Sequence, residues 1–134
     1  MSIWGRRIPL GPVVIVAAVL VAVIGVARVA TIERPREITL VARDMAFYLE
    51  ADARSANPAI EVKPGETIRV VLKNRDRGIT HDFAVPAVEA ATDALAWNQQ
   101  DAVTFRAPEK PGSYEYVCRP HLLMMKGELR VVGE

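Results

Sequence analysis

Positions 8–27 are twenty successive residues without a charge, and the apolar character runs on past Arg28 to Ala30. Counted from Pro12, a residue that suits the first turn of a helix, nineteen residues reach Ala30. At about 1.5 Å of rise each they span roughly 28 Å, close to the ~30 Å hydrocarbon core of a bilayer. A soluble helix of that length would carry a polar stripe, so the pattern predicts a transmembrane helix. Arg6 and Arg7 precede it while Arg28, Arg34 and Arg36 follow, so counting positive charges does not set its orientation. A very short tail bearing two arginines resembles a signal-anchor, which places the remainder of the chain outside the cytoplasm, in a periplasmic or extracellular space. Gly25-x-Ala27 offers a cleavage site, but the apolar run exceeds the usual length of a cleaved signal, which favours a retained anchor.

Beyond the polar linker 31–37 the hydrophobic period changes to two. Ile38–Ala42 and Ile60–Val62 are short β-prone runs, and Pro64-Gly65 turns the chain into Thr67–Lys73. There Ile68, Val70 and Leu72 alternate with Arg69, Val71 and Lys73, the pattern of a half-buried strand. Asn74–Gly78 reads as a turn. In the next predicted strand Ile79, His81, Phe83 and Val85 fall on one face, with Thr80, Asp82 and Ala84 on the other, and Pro86 closes it. Ala87–Trp97 fits either a short helix or an irregular loop. Ala102–Ala107 is another strand, ended by Pro108 and the Pro111-Gly112 turn. Tyr114, Tyr116 and Cys118 share a face opposite Glu115, and Gly127–Val132 is the last strand. Phe83, Trp97, Tyr114 and Tyr116 are assigned to the core. Six or seven short strands in about 100 residues, with turn signals at regular spacing, predict an all-β sandwich or small barrel. The chain therefore divides into a tail and anchor (1–30), a linker (31–37) and a β domain (38–134).

Charge removes one class of partner. The 134 residues hold 17 Lys+Arg and 16 Asp+Glu, a net of +1. Three of the basic residues precede position 31, so 31–134 carries 14 basic and 16 acidic side chains, a net of −2. Without a basic field, no nucleic-acid partner is expected. The single cysteine excludes an intramolecular disulfide and a zinc site of the paired-cysteine kind.

That lone thiol belongs to a constellation. Cys118, His121, Met125 and Gly127 form Cys-x2-His-x3-Met-x-Gly at the end of the penultimate strand, and His81 lies in a neighbouring strand. Taken singly, His81 would be a hydrogen-bonded core histidine, Cys118 a small buried hydrophobe and the methionines gap-fillers. Taken together, two imidazoles, a thiolate and a thioether as weak axial donor suit copper in both oxidation states.

These segments resemble the cupredoxins, the blue (type 1) copper proteins, over residues 38–134. The resemblance is carried by Val62-Lys-Pro-Gly-Glu-Thr67, Gly78-Ile-Thr-His-Asp-Phe83, Pro111-Gly-Ser-Tyr-Glu-Tyr-Val-Cys-Arg-Pro-His121 and Met125-Lys-Gly127. The Cys-x2-His loop is similar to that of plastocyanin and amicyanin. The resemblance implies a Greek-key β-sandwich after the transmembrane helix, holding one copper ion. It makes His81, Cys118 and His121 the equatorial ligands, and Asp82 the polar residue that braces the ligand loop. Met124 fits the family's shorter His-to-Met spacing, whereas Met125 fits the Met-x-Gly step into the last strand and is favoured as axial ligand.

The function expected is that of a membrane-tethered carrier of single electrons between redox proteins, with membrane-bound respiratory components among the candidate partners. The alternative is a copper-handling or copper-sensing protein with no electron-carrier role. A copper enzyme of this fold would need further copper sites, and a dinuclear centre would need a second cysteine. A cysteine hydrolase on Cys118 and His121 would lack an orienting third group and an oxyanion donor pair. Zinc could take one cysteine and two histidines, but Met-x-Gly would then be idle. No enzyme activity is expected.

Overall fold

Ile38, Leu40 and Ala42 alternate with half-buried neighbours along one strand, and Ile68, Val70 and Leu72 do the same along another. The two strands run parallel with Ile38 opposite Val70 and Leu40 opposite Leu72, so the apolar sets form one continuous face. In the computed structural model, which describes residues 34–133, this face is half of the core of a two-sheet sandwich. Nine strands occur among the described residues: β1 (Arg36–Arg43), β2 (Ala46–Leu49), β3 (Ile60–Val62), β4 (Thr67–Asn74), β5 (Ala84–Val85), β6 (Ala90–Ala91), β7 (Gln100–Arg106), β8 (Gly112–Val117) and β9 (Lys126–Val131). One sheet has the order β2-β1-β4-β7 and the other β3-β9-β8-β5-β6. Pairing is antiparallel except for β1 with β4 and β3 with β9.

The sheets meet through aromatic rings. Phe47 of β2 sits edge-on to Phe83 and Tyr116, with ring centroids 6.2 and 5.5 Å away, an arrangement that aligns ring edges with ring faces. Asn57 pins Phe47 in place, its side-chain oxygen accepting the Phe47 N–H at 3.0 Å and its own N–H reaching the Phe47 carbonyl at 2.7 Å. Beside this cluster Gly127 lies directly across from Tyr116, and a Cβ there would overlap the Tyr116 ring. The glycine in the Met-x-Gly step thus makes room for a tyrosine whose hydroxyl donates to the Pro58 carbonyl at 2.7 Å.

Two sequence-based expectations need correction, and one element lies outside them. The hairpin β1–β2 is not anticipated by the pattern, because its turn is Asp44-Met45. Both residues have positive φ, 50° and 57°, the geometry of a type I′ turn that usually takes Asn-Gly. The strand expected from Ile79 is reduced to Ala84–Val85. His81, Asp82 and Phe83 are all buried there, so the alternation of faces does not hold; the segment leaves the ladder and is held instead by a pair of backbone bonds between His81 and Leu95. Trp97 is 45% exposed and lies under the Arg77 guanidinium, 4.3 Å from its ring centroid, rather than in the core. Phe83 and Tyr116 are core residues, and Tyr114 packs against the core's edge. The Ala87–Trp97 stretch is irregular, with a 3-10 turn at Pro86–Val88 and the two-residue β6.

No helix among the described residues is long and apolar enough to cross a membrane. The apolar segment at 8–30 lies outside the described residues.

Candidate metal centre

Cys118 is the first residue beyond β8, and its N–H donates to the Met125 carbonyl at 2.9 Å, closing the loop between β8 and β9. Pro120 has no N–H to continue a ladder, and the chain turns through a 3-10 helix at Arg119–His121. The loop then bonds to itself. The His121 N–H reaches the Cys118 carbonyl at 3.0 Å, and the N–H groups of Met124 and Met125 both reach the His121 carbonyl, at 3.0 and 2.9 Å. Cys118, His121 and Met125 are therefore held by backbone bonds that require no metal.

His81 enters from the other side. Its N–H donates to the Leu95 carbonyl at 3.1 Å and its carbonyl accepts the Leu95 N–H at 2.7 Å. The ring is fully buried, with Nε2 2.8 Å from Oδ2 of Asp76. An ionised carboxylate only accepts, so a hydrogen on Nε2 satisfies this contact and frees Nδ1 to act as a metal donor. That Nδ1 stands 3.7 Å from Cys118 Sγ, and the Nδ1 of His121 stands 3.4 Å from the same sulfur. The donor atoms of His81, Cys118 and His121 all lie within 4.8 Å of one another.

These distances can be compared with what a metal requires. With bonds of about 2.0–2.3 Å, donors at the corners of a trigonal plane stand roughly 3.4–4.0 Å apart. Both sulfur–nitrogen separations meet that range, so the donors need little movement to close on an ion. The two methionines differ in burial. Met125 is fully buried in the core cluster, whereas Met124 is 60% exposed. The interior side of the loop thus carries Met125, while Met124 faces solvent beside Leu122 and Leu123.

The electrostatics around the sulfur are mixed. Burial pushes the Cys118 thiol up; backbone N–H groups of Asp82 and His121 oppose this, while the Asp82 carboxylate adds to it, and the net shift is upward. A metal ion must displace that proton when it binds. Asp82 itself is buried and tied across the site, accepting the Arg119 N–H at 2.7 Å on Oδ1 and the Arg119 Nε–H at 2.6 Å on Oδ2. It thus links the residue after His81 to the residue after Cys118. For Asp76, burial acts upward but is outweighed by the Asp44 N–H, the His81 ring and the Met45 N–H, leaving its carboxyl below the usual aspartate value.

The structure brings together His81, Cys118 and His121, buries Met125 in the core, and places Asp82 against the ligand loop. Sequence reasoning missed Asp76 and Arg119. The only trace of Asp76 in the sequence is an acidic residue five positions before a histidine, inside a stretch whose Asn, Asp and Gly content announces a turn. Arg119 is signalled only by its place inside the Cys-x2-His spacing.

A two-sheet all-β frame holding His81, Cys118, His121 and Met125, all but His121 fully buried, matches the type 1 copper site of blue copper proteins. The sequence matches the model of the cupredoxin-like domain over residues 14–131, and the chain belongs to that family. Among solved structures it is similar to auracyanin B, with a TM-score of 0.62 and 21% identity, over 75% of this chain and 91% of that one. Auracyanin A, a blue copper protein from the green thermophilic photosynthetic bacterium Chloroflexus aurantiacus, gives 0.60 and 21% over 74% and 100%. Rusticyanin from Thiobacillus ferrooxidans gives 0.56 and 20% over 72% and 76%. At these identities the likeness speaks for the fold. No curated protein matches the sequence significantly.

Proposed function

We propose that the chain is a mononuclear blue copper protein that carries single electrons between redox proteins. The observation that carries this reading is the convergence of His81 Nδ1, Cys118 Sγ and His121 Nδ1 within 4.8 Å beside a buried Met125. Copper held by these residues would supply a one-electron couple. The residues themselves supply rigidity: Cys118, His121 and Met125 are fixed by loop bonds, and His81 by Leu95 and Asp76. Donors that need not rearrange when charge changes favour fast transfer. The similarity to auracyanins and rusticyanin supports the same reading.

The route for the electron follows from exposure. His81 and Cys118 are fully buried, whereas His121 is partly exposed and flanked by the exposed side chains of Leu122, Leu123 and Met124. Electrons would enter and leave at the His121 edge, against a redox protein that offers an apolar contact. The apolar segment 8–30 would tether the domain to a membrane with the β domain outside the cytoplasm, within reach of membrane-bound respiratory components. Burial of the thiolate also sets this reading apart from copper handling, which needs donors that a copper acceptor can reach.

The test compares two rates in the copper-loaded chain. Electron exchange with a small redox protein should be fast, while loss of Cu(I) to a chelator should be slow. Rapid handover of the metal with slow electron exchange would establish copper handling instead. Retention in membranes after a carbonate wash, with the β domain digestible from the extracytoplasmic side, would support the tether, and a mature form starting near Arg28 would overturn it.

A further inference from the structure

The Asp76 carboxylate gathers three donors from two parts of the chain. Oδ1 accepts the Asp44 N–H at 2.8 Å, and Oδ2 accepts both the Met45 N–H at 3.2 Å and the His81 Nε2–H at 2.8 Å. Its own N–H is fixed by the side-chain oxygen of Asn74 at 2.8 Å. Asn74 is fully buried and donates to the carbonyls of Ile79 at 2.7 Å and Leu95 at 2.8 Å, the latter being the residue that brackets His81. The carboxylate is thus held in one position by a turn on one side and a buried amide on the other. It meets an imidazole that is closed to water.

We infer that Asp76 is a positioning residue for His81, fixing the hydrogen on Nε2 so that Nδ1 faces Cys118 and lowering the reduction potential of the site. Two physical reasons support this. A carboxylate that accepts the far N–H of a metal-ligating histidine fixes its tautomer and ring orientation and raises its basicity as a ligand. A more basic nitrogen donor favours the higher charge of Cu(II) over Cu(I). Because the His81 ring is fully buried, bulk water does not replace Asp76 as the partner of its Nε2. The tautomer part concerns the protein alone; the potential part rests on the copper reading given above.

The test has two arms. In the metal-free chain, nitrogen NMR of the imidazoles should show the His81 hydrogen on Nε2, and Asp76→Ala should yield a mixture of tautomers. In the copper-loaded chain, Asp76→Asn keeps an acceptor oxygen but removes the charge. It should keep the blue absorption while the ratio of Cu(II) to Cu(I) affinity falls about tenfold, which is about 59 mV upward for one electron. Because Asp76 also supports the Asp44-Met45 turn, Asp76→Asn should be repeated with Asp44→Asn and Met45→Gly, a sequence that forms a type I′ turn unaided. The upward shift should persist in that background. A His81 hydrogen found on Nδ1 in the parent chain, or a potential unchanged in Asp76→Asn, would overturn the assignment. So would a shift that vanishes once the turn is repaired. A parent chain that takes up no copper would refute the copper reading, and with it the lowering of the potential, while the metal-free arm still decides the tautomer.

Discussion

Arg119 grips Asp82 with two donors, its backbone N–H at 2.7 Å and its Nε–H at 2.6 Å. Each of these residues directly follows a metal-site residue, His81 or Cys118, so the pair joins the two halves of the site. Asp82 is nearly inaccessible while the Arg119 side chain is 57% exposed. Arg119→Ala would remove the Nε–H donor from the buried carboxylate and leave the backbone N–H in place. The expected cost is about 1.5–3 kcal/mol in the metal-free chain, the range for a hydrogen bond to a charged group. Copper affinity should fall about 10- to 100-fold, as for other supports of metal ligands. Urea denaturation and a competitive copper titration check the two effects separately.

Gly127→Ala should destabilise the sandwich. The new methyl would overlap the Tyr116 ring across the β8–β9 pair, and Tyr116 is packed between Phe47 and Phe83 with its hydroxyl committed to Pro58. Overpacking of this kind costs about 1–3 kcal/mol. The urea midpoint should drop with the slope unchanged.

The site was more legible in the sequence than its supports. Cys118, His121 and Met125 lie within eight residues, so their spacing survives any error in placing strands. The regular alternation in β4 gave its core face correctly, because the strand is central in its sheet and covered on one side. The β1–β2 turn was hidden because Met45 is not a residue expected at positive φ; long-range bonds from Asp76 stabilise it there. The stretch from Ile79 was mistaken for a strand because burial on every side produces the same hydrophobic run as alternation interrupted by polar ligands. Long-range polar partners such as Asp76 with His81 leave no period in a sequence.

Stability should depend on pH through Glu66. Its side-chain bond to Arg36 holds the carboxyl below the usual glutamate value against the upward push of burial, with the Lys63 N–H helping at 2.8 Å. A lowered folded-state pKa means that the contribution is fully present above the unfolded value and is lost as pH falls through the folded one. Glu66→Gln should therefore cost about 1 kcal/mol at neutral pH. The difference from the parent chain should disappear in acid. Midpoints measured across the acid range check the sign; a difference that grows on acidification would contradict it.

Met125 and Met124 should behave oppositely. Met125→Leu removes the buried thioether and leaves the site more apolar, so the potential should rise while the blue colour, defined by Cys118 with His81 and His121, is kept. Met124→Leu, at an exposed position, should leave the potential unchanged. Potentiometry on both variants under identical conditions decides between them.

The central claim, a trigonal thiolate copper site built from His81, Cys118 and His121, is tested most directly by adding Cu(II) to the metal-free chain and recording its visible spectrum. One equivalent should produce intense blue absorption from charge transfer between the Cys118 thiolate and copper, and Cys118→Ser should abolish it even where some metal remains bound. A chain that stays colourless with Cu(II), or that retains only zinc, would contradict the account.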